Sequence, residues 1–378
     1  MARGRHRSPF RIIAIVVVPL AILMLAAVIH FRRASRLVPQ WSSFLALPER
    51  QRKPQWFEPY LVLLPNDVAH REAALVWYNR GEPDDDKLKA HTLEMARRHP
   101  GNMHVFYENV SLFYLDPEYR QQVTDVLEAQ IEQRSDEHEF LSMLAKLCEH
   151  NTVPPKFDHR ADREQWLHYY GLPPDYELPR EIDYERAEKA VGYYRQAIAA
   201  AEGEEWDTGF YSRQLADLLV QLERYDEALV AYETALPHVA EIWRAGVYLS
   251  YARCLWHTNR IDEARAASRE VLASKGDPFH CAQGCRAARA HLLLGRIALG
   301  HDKDVEAAKK HLLDAATTQP CCHTITQGIP LTLARDLLEE GESEAVAEFC
   351  EAVLENFIPS HKPTQELLSR ARDEANET

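Results

Sequence analysis

The apolar residues of this 378-residue chain recur at spacings of three and four along most of its length. That period is typical of α-helices that bury one face and turn a polar face to water. From residue 67 onward the pattern predicts short helices separated by breakers such as Pro83, Pro100 and Pro117. The chain is therefore expected to be all-α, with successive helices folded back on one another as hairpins.

One segment lacks this period. Residues 12–31 form a run of 20 residues without formal charge. As a helix rising about 1.5 Å per residue, such a run spans a hydrocarbon core of roughly 30 Å. A secretory signal peptide is the alternative, but its apolar region is usually about 7–15 residues long and precedes small residues, whereas Arg32 and Arg33 follow this run. The run predicts a single-pass membrane protein whose transmembrane helix lies within residues 1–35.

Basic residues on both sides of residues 12–31 bear on the orientation of that helix. Four arginines precede the run, and four more follow it within about 20 residues. Moving an N-terminal tail with four arginines across a bilayer is unfavourable. The N-terminus is therefore expected in the cytoplasm, and the rest of the chain on the non-cytoplasmic side.

Prolines divide the chain into further segments. Residues 36–66 contain five prolines and are expected to form a tether. The segments expected after the tether are, in order, N-terminal helical hairpins over 67–150, a Pro-rich connector over 151–180, a regular array of hairpins over 181–358, and a C-terminal capping helix or tail over 359–378.

Five segments of the array share one pattern of small residues. Each has an alanine, then a larger or polar residue four positions on and a residue such as alanine or valine seven positions on. The leading alanines lie 38, 36, 44 and 37 residues apart. Small residues at such positions let antiparallel helices approach closely. The five triplets are Ala190, Tyr194 and Ala197; Ala228, Tyr232 and Ala235; Ala264, Ser268 and Val271; Ala308, Leu312 and Ala315; and Ala345, Phe349 and Ala352.

This period and these residues resemble the tetratricopeptide repeat (TPR), over about residues 181–358 and more weakly over 67–150. Ser212, Tyr248 and His291 stand where the first helix of the repeat usually has tryptophan, so the repeats are diverged. The resemblance implies an α-solenoid, a right-handed superhelix of stacked hairpins. Its concave face, lined by the first helix of each hairpin, would hold peptide segments or helices of other proteins.

Composition and charge narrow the class of partner. Only 14 glycines occur, too few for the dense turns of a β-sandwich or barrel. The formal net charge is −14, but residues 1–53 carry ten basic residues against one acid, so the remainder of the chain carries −23. An acidic array without a basic stripe repels phosphate, which argues against nucleic acid as a partner. The expected partner is another protein or a peptide.

The repeat frame also predicts which side chains line the concave face. Arginines there suit bidentate capture of a carboxylate, and Phe210 and Trp256 offer apolar anchors. The alternative is an ordinary solvated helix face whose arginines pair with neighbouring glutamates. Chaperone-binding members of the family hold a terminal carboxylate with a Lys/Asn clamp, but Asp217 stands at one clamp position, so chaperone binding is not inferred. The predicted groove residues are Phe210, Arg213, Asp217, Gln221, Arg253, Trp256, His257, Arg289 and Arg296.

Cysteines and histidines cluster around an insertion of about eight residues within 276–285, which the spacing of 44 requires. Equivalent ends of adjacent hairpins lie about 10 Å apart, so the two halves of this cluster are expected to approach one another. Three alternatives stand: ordinary half-buried thiols, a disulfide between the two halves, and a structural zinc site. The candidate residues are His280, Cys281, Cys285, Cys321, Cys322 and His323.

The chain shows no motif of a known catalytic class. It has no Gly-rich phosphate loop, no G-x-S-x-G elbow and no H-E-x-x-H sequence. The sequence therefore predicts a membrane-anchored, non-enzymatic scaffold that binds other proteins in the assembly of an envelope or membrane complex, without a small-molecule substrate or a required cofactor. The alternative is a thiol-redox or zinc-dependent role centred on residues 280–323.

Overall fold

The computed structural model describes residues 58–81, 83–150, 152, 167, 172–173, 175–179, 181–274, 282–319, 329–357 and 361–377. Within these ranges every regular element is helical and no β-strand occurs. The expectation of an all-α chain is confirmed for this part of the protein.

The described helices belong to two compact units, which are treated separately. The first comprises residues up to His99 together with Tyr107–Asn109, and the second comprises Pro100–Phe106 and everything from Val110 onward.

The described part of the first unit contains three helices, α1 Glu58–Leu63, α2 Val68–Val76 and α3 Asp85–Arg98. A π-helical turn at Trp77–Gly81 extends α2. Aspartates begin the two longer helices: the carboxylates of Asp67 and Asp84 accept hydrogen bonds from the backbone N–H groups three residues on. Helix α1 lies inside the segment that the prolines predict to be a tether. The proline in its first turn does not prevent the helix, since a proline at that position costs no hydrogen bond.

The second unit contains the remaining helices. Aspartates again begin several of them, and Asp116, Asp183 and Asp304 each cap a helix N-terminus through the side chain. In chain order these helices are α4 His104–Tyr107, α5 Val110–Leu115, α6 Pro117–Glu128, α7 His138–Glu149, α8 Tyr184–Ala200, α9 Glu205–Gln221, α10 Tyr225–Ala235, α11 Glu241–His257, α12 Ile261–Ala273, α13 Ala282–Ile297, α14 Val305–Ala316, α15 Thr332–Glu339, α16 Ser343–Asn356 and α17 Lys362–Glu377. Residue Tyr107, at the end of α4, is assigned to the first unit.

Helices α7 to α16 pack in consecutive pairs. The pairs are α7 with α8, α9 with α10, α11 with α12, α13 with α14, and α15 with α16, and α17 packs on α16. Neighbouring pairs also contact one another, as α8 does with α9 and α12 with α13. The result is the array of helical hairpins that the TPR resemblance implies. Its first pair joins a helix on each side of the predicted connector, 151–180, whose boundaries stay a prediction.

The small-residue pattern explains how closely the helices of a pair approach. All three members of the first four triplets, beginning at Ala190, Ala228, Ala264 and Ala308, are at most 1% exposed. In the last pair Phe349, the second member of its triplet, is buried as predicted, but the first and third positions are displaced by one residue. There Val346, Cys350 and Val353 are buried, whereas Ala345 and Ala352 are only half-buried.

The turns between paired helices follow one geometry. Glu223, Asn259, Lys303 and Gly341 lie between the two helices of successive pairs, and each has a φ of 60° to 88°. The following backbone N–H returns to a carbonyl of the preceding helix, as Arg224 N does to Leu219 O at 2.9 Å. This left-handed residue and its returning bond end a helix sharply, so the four hairpins from α9–α10 to α15–α16 reverse in short turns.

The membrane prediction is corrected. None of the described helices combines the length and apolar content needed to cross a bilayer. The longest, such as α9, have 17 residues and carry charged side chains along one face, whereas a membrane-spanning helix needs about 20 predominantly apolar residues. Residues 12–31 lie outside the described residues. The single-pass localisation, its orientation and the envelope role that depended on them are not retained.

Candidate functional site

The predicted groove residues lie on α9, α11 and α13, the first helices of three consecutive hairpins. Their spacings of three and four residues bring the side chains of each helix to one face. We call this set of residues the arginine face. The contacts within and between the three helices show which of its members are engaged and which remain available.

On α9 the arginine face is aromatic at one end and acidic at the other. The Phe210 ring stacks on the Trp206 ring with centroids 5.4 Å apart, and the Arg213 guanidinium lies 5.7 Å from the Phe210 ring. Trp206 itself is 63% exposed. Two stacked aromatic rings, one of them open to solvent, form an apolar anchor of the kind found at the centre of protein interfaces.

Asp217, further along α9, has a structural partner. Its Oδ1 accepts a hydrogen bond of 2.7 Å from the Tyr232 hydroxyl on α10. Burial raises the pKa of Asp217, an effect that the Tyr232 hydrogen bond and the nearby Arg213 charge oppose. Asp217 therefore holds α10 against α9 and does not point freely at a ligand. Gln221, the last residue of α9, is exposed.

Trp256 and Arg296 join α11 to α13. The Arg296 guanidinium lies 4.2 Å from the centre of the Trp256 ring, a distance at which a cation–π contact is favourable. Arg296 Nε also lies 3.8 Å from Asp336 Oδ2 on α15. The Arg296 guanidinium contacts the Trp256 ring on one side and the Asp336 carboxylate on the other, so residues of the array itself occupy most of it.

His257 also has a partner within the array. Its ring stacks on the Tyr225 ring of α10, with centroids 4.3 Å apart and an interplanar angle of 3°. Burial lowers the pKa of His257, and the charges of Arg253 and Arg296 lower it further. The imidazole is therefore neutral near pH 7 and sits beside two fixed positive charges.

Arg253 and Arg289 differ from the other two arginines of the arginine face. Neither has an ion pair or side-chain hydrogen bond to any residue that the structure describes. Both side chains are exposed, yet burial lowers the pKa of Arg289 and the Arg253 charge lowers it further. Arg289 is therefore accessible to solvent and at the same time partly desolvated by the residues around it.

These two arginines contrast with others on the same array. Arg224 pairs with Glu188 and Glu227 at 2.7 and 2.6 Å, and Arg260 pairs with Glu263 at 2.5 Å. Exposed arginines paired with neighbouring acids were the alternative to a binding groove, and they do occur on the array. At Arg253 and Arg289 two like charges lie close together without an acid among the described residues, which leaves their donors available to a ligand.

Sequence reasoning missed four partners of the arginine face: Trp206, Tyr225, Tyr232 and Asp336. Trp206 stands four residues before Phe210, so the helical period could have revealed their contact. Tyr232 and Asp336 lie on other helices, and only the packing of the array brings them to Asp217 and Arg296.

Most of the cysteine and histidine cluster falls outside the described residues, namely His280, Cys281, Cys321, Cys322 and His323. Cys285 is described: it is buried in the first turn of α13 and is disulfide-bonded. The described free cysteines are Cys148, Cys254 and Cys350.

The three free thiols have the properties of core residues. Burial raises the pKa of Cys148 to about 11, and it raises the pKa values of Cys254 and Cys350 to about 12. Because the thiolate is the nucleophile and the metal ligand, these three cysteines are inert near pH 7.

Comparisons with known proteins add little to this description. No protein-family model matches the chain, and no curated protein matches it. Among solved structures, a crystal structure of the P58(IPK) TPR domain matches with 9% sequence identity and a TM-score of 0.23, covering 91% of this chain and 99% of that one. A TM-score this low carries no argument. The description of the array rests on its own paired helices and buried small residues.

Proposed function

We propose that the protein binds a peptide segment of another protein on the arginine face, and that the segment presents a carboxylate to Arg253 and Arg289. The observation that supports this most directly is the pair of neighbouring, accessible arginines without an acidic partner among the described residues. An array of helical hairpins provides a scaffold for such binding, because its first helices present side chains side by side.

A carboxylate is the group that best satisfies this pair. Two guanidinium groups repel one another, and a bound anion relieves that repulsion while it accepts charge-assisted hydrogen bonds. Hydrogen bonds to charged groups contribute about 1.5–3 kcal/mol each, and the planar guanidinium can bind a carboxylate through two of them. The carboxylate is supplied by an acidic side chain or by the C-terminus of the segment.

The aromatic end of the face would hold the rest of the segment. Trp206 and Phe210 form a stacked pair on α9, with Arg213 against the Phe210 ring. An apolar residue of the ligand placed on Trp206 would bury a surface that is 63% exposed in the free protein. The ligand is therefore a segment with one carboxylate and at least one large apolar side chain.

The long-range field of the protein opposes such a ligand. The whole chain carries a formal net charge of −14, so an acidic segment is repelled at a distance and attracted only at the arginine face. The Debye length is about 10 Å at 0.1 M salt and about 3 Å at 1 M salt. Moderate salt is therefore expected to screen the repulsion before it weakens the contact itself.

The experiment uses the full chain and fluorescently labelled peptides of one length. Each peptide with Asp or Glu and a free C-terminus is compared with its Asn, Gln or C-terminally amidated counterpart by fluorescence polarisation. The variant Arg253→Glu with Arg289→Glu is expected to lose binding to the carboxylate peptides at least about 100-fold, since two charge-assisted contacts are removed. Arg370→Glu with Arg372→Glu on α17 makes the same change in net charge away from the face and is the matched control.

Two results would contradict the proposal. One is equal binding of the carboxylate and neutral peptides by the wild-type protein. The other is equal loss of binding in both double variants, which would show an effect of net charge alone. Circular dichroism of each variant establishes that the helical array is intact.

A thiol-redox or zinc-dependent role around residues 280–323 stays a prediction. The disulfide of Cys285 is the observation that bears on it. Peptide mapping after alkylation, with and without prior reduction, identifies the partner cysteine, and metal analysis of the purified protein tests for zinc. Reversible reduction at a potential near that of cellular thiols would favour a redox role over a structural one.

A further inference from the structure

A second group of polar side chains lies between α13 and α14, in a different hairpin contact from the arginine face. The Nδ1 atoms of His291 and His311 are 3.2 Å apart, and His291 Nδ1 is 3.8 Å from Asp314 Oδ2. One ligand atom from each of the three residues lies within 4.8 Å of the other two. All three side chains are half-buried.

We propose that His291, His311 and Asp314 bind a divalent first-row transition metal ion, with Zn²⁺ as the expected ion. Two imidazole nitrogens and one carboxylate oxygen match the ligand preference of Zn²⁺. Mg²⁺ and Ca²⁺ prefer all-oxygen sites and are not expected here. Three protein ligands leave a fourth position for water or for a group of a partner.

The distances fit a tetrahedral ion. Nitrogens bound to Zn²⁺ at about 2.0–2.1 Å lie about 3.3–3.4 Å apart at the tetrahedral angle. The observed separation of the two Nδ1 atoms, 3.2 Å, is close to this value. The contact of 3.8 Å to Asp314 is longer by about half an ångström, a difference that a small rotation of one carboxylate side chain removes.

The helices that carry the ligands are held rigidly. His311 and Asp314 stand three residues apart on α14 and share one face of that helix. His291 projects from α13, which packs against α14 at Gly295. A Cβ on Gly295 would lie 3.2 Å from His311 Cβ and would overlap Leu333 Cδ2. The absence of a side chain at Gly295 therefore makes room for His311 beside His291.

Both imidazoles are available as neutral ligands. Burial lowers the pKa values of His291 and His311, and Asp314 opposes the shift at each. The charges of Lys310 and Arg269 lower the pKa of His311 further. A histidine must be neutral to bind a metal, so these neighbours favour the ligand form, although they also repel the incoming cation.

The simplest competing explanation is a hydrogen bond between the two rings. One neutral imidazole can donate an N–H to the other at 3.2 Å, and the pair would then have only a packing role. The two explanations predict different outcomes in a metal titration, because a hydrogen-bonded pair that does not bind metal gains no stability from Zn²⁺.

The experiment titrates the full chain with Zn²⁺ after treatment with a chelator. Binding is measured by competition with a chromophoric chelator, and Co²⁺ is then used as a spectroscopic substitute for Zn²⁺. We expect one tight equivalent, a rise in the melting temperature on adding Zn²⁺, and a Co²⁺ spectrum of tetrahedral or five-coordinate geometry without thiolate charge-transfer bands. The protein is alkylated beforehand so that accessible cysteines do not bind the metal.

Variants assign the bound ion to this site. His291→Gln with His311→Gln is expected to weaken Zn²⁺ binding at least about 100-fold, since even outer-shell partners of a metal are worth about 10–100-fold. His301→Gln is the matched control, because His301 is an exposed histidine beside Asp302 at the end of the same hairpin's first helix. It should leave binding unchanged.

A second control addresses another group. His138, Glu204 and Asp207 also bring their ligand atoms within 4.8 Å of one another, but only one of the three is an imidazole. If His138→Gln removes the tight equivalent and the double variant does not, the proposal is wrong. It is also wrong if the folded double variant binds Zn²⁺ as the wild type does. If the double variant does not fold, Asp314→Asn decides: unchanged affinity for Zn²⁺ overturns the proposal, and weaker binding supports it.

Discussion

The strongest prediction concerns His150, which follows α7 as its C-cap. Its imidazole is packed among aromatic rings and has ring centroids 5.4 Å from Phe106, 6.1 Å from Phe113 and 4.0 Å from Tyr114. Only 7% of the residue is exposed. A proton on this ring would therefore lie in an apolar environment.

Positive charges surround the same residue. The His150 carbonyl accepts hydrogen bonds from Arg120 Nη1 at 3.2 Å and from Arg186 Nη2 at 3.0 Å. Burial and the charges of Arg120, Arg186 and Lys146 together lower the pKa of His150 to about 3, against a hydrogen bond to the Val110 backbone that acts in the opposite direction. Folding thus favours the neutral imidazole strongly.

The sign of the pH effect follows from this shift. Above about pH 6.5, His150 is neutral in both the folded and the unfolded protein and makes no difference to stability. Below that pH the unfolded chain takes up a proton that the folded protein excludes. The free energy of unfolding therefore falls by up to about 1.4 kcal/mol per pH unit until the folded pKa of about 3 is reached. The total loss from this residue is about 5 kcal/mol.

The assay is urea denaturation followed by circular dichroism at pH 7.0, 5.5 and 4.5. The wild-type protein is expected to lose about 2.5 kcal/mol through His150 between pH 7.0 and 4.5, in addition to losses from other groups. His150→Phe retains the aromatic packing and removes the titration, so its stability should fall less steeply with pH. The exposed His301→Gln should follow the wild type. Equal slopes for His150→Phe and the wild type would refute the reasoning.

Three further predictions follow from particular contacts. Gly284→Ala should lower the free energy of unfolding by about 1–3 kcal/mol, because a Cβ there would overlap the carbonyl oxygen of Gln319. Gly192→Ala should raise it by up to about 1 kcal/mol, because a Cβ at this position has no other atom within 4 Å. Asp217→Asn should raise the melting temperature at pH 7, because burial raises the pKa of Asp217 and penalises its charged form, and this gain should vanish below about pH 4, where the unfolded carboxyl is also protonated. Lys303→Gly should raise the free energy of unfolding by about 0.5–1 kcal/mol, because Lys303 has a φ of 60° that glycine adopts without strain.

The sequence predicted the hairpins well where the residues that determine the packing lie close together in the chain. Tyr194 and Tyr232 fill the space between helices at the second position of their triplets, and both are at most 1% exposed. A helix pair needs small residues on its inner faces and a large residue between them, and both requirements appear within about 12 residues of sequence. A short stretch of sequence is therefore enough to predict close packing of this kind.

The same patterns failed where a pair depends on distant segments. Helix α7 pairs with α8 across some 34 intervening residues that include Pro173, and no local period shows which helix α8 will meet. In the last pair the sequence pattern predicts buried alanines at 345 and 352. The residues buried in the core are Val346 and Val353, one position further along the helix. Alanine is favourable on both the buried and the exposed face of a helix. An alanine therefore indicates the buried face less reliably than a valine or a tyrosine does.

The candidate binding residues, too, depend partly on local sequence and partly on contacts with distant segments. Helical period groups the candidate residues on α9, α11 and α13, and Arg253 and Arg289 are exposed on α11 and α13. Which arginines remain available depends on neighbours from other helices: Asp336 on α15 engages Arg296, and no comparable acid approaches Arg289 among the described residues. Side-chain availability is a property of the packed array, and the sequence pattern carries no information about it.

One departure from the repeat pattern places a polar side chain where helix packing does not require one. His291 occupies the first-helix position where the family usually has tryptophan, and it faces His311 and Asp314 on the paired helix. An apolar ring at position 291 would fill the same space, whereas a half-buried imidazole needs a polar partner, either the His311 ring or a bound ion. This is why the metal titration is expected to distinguish His291 from an ordinary core residue.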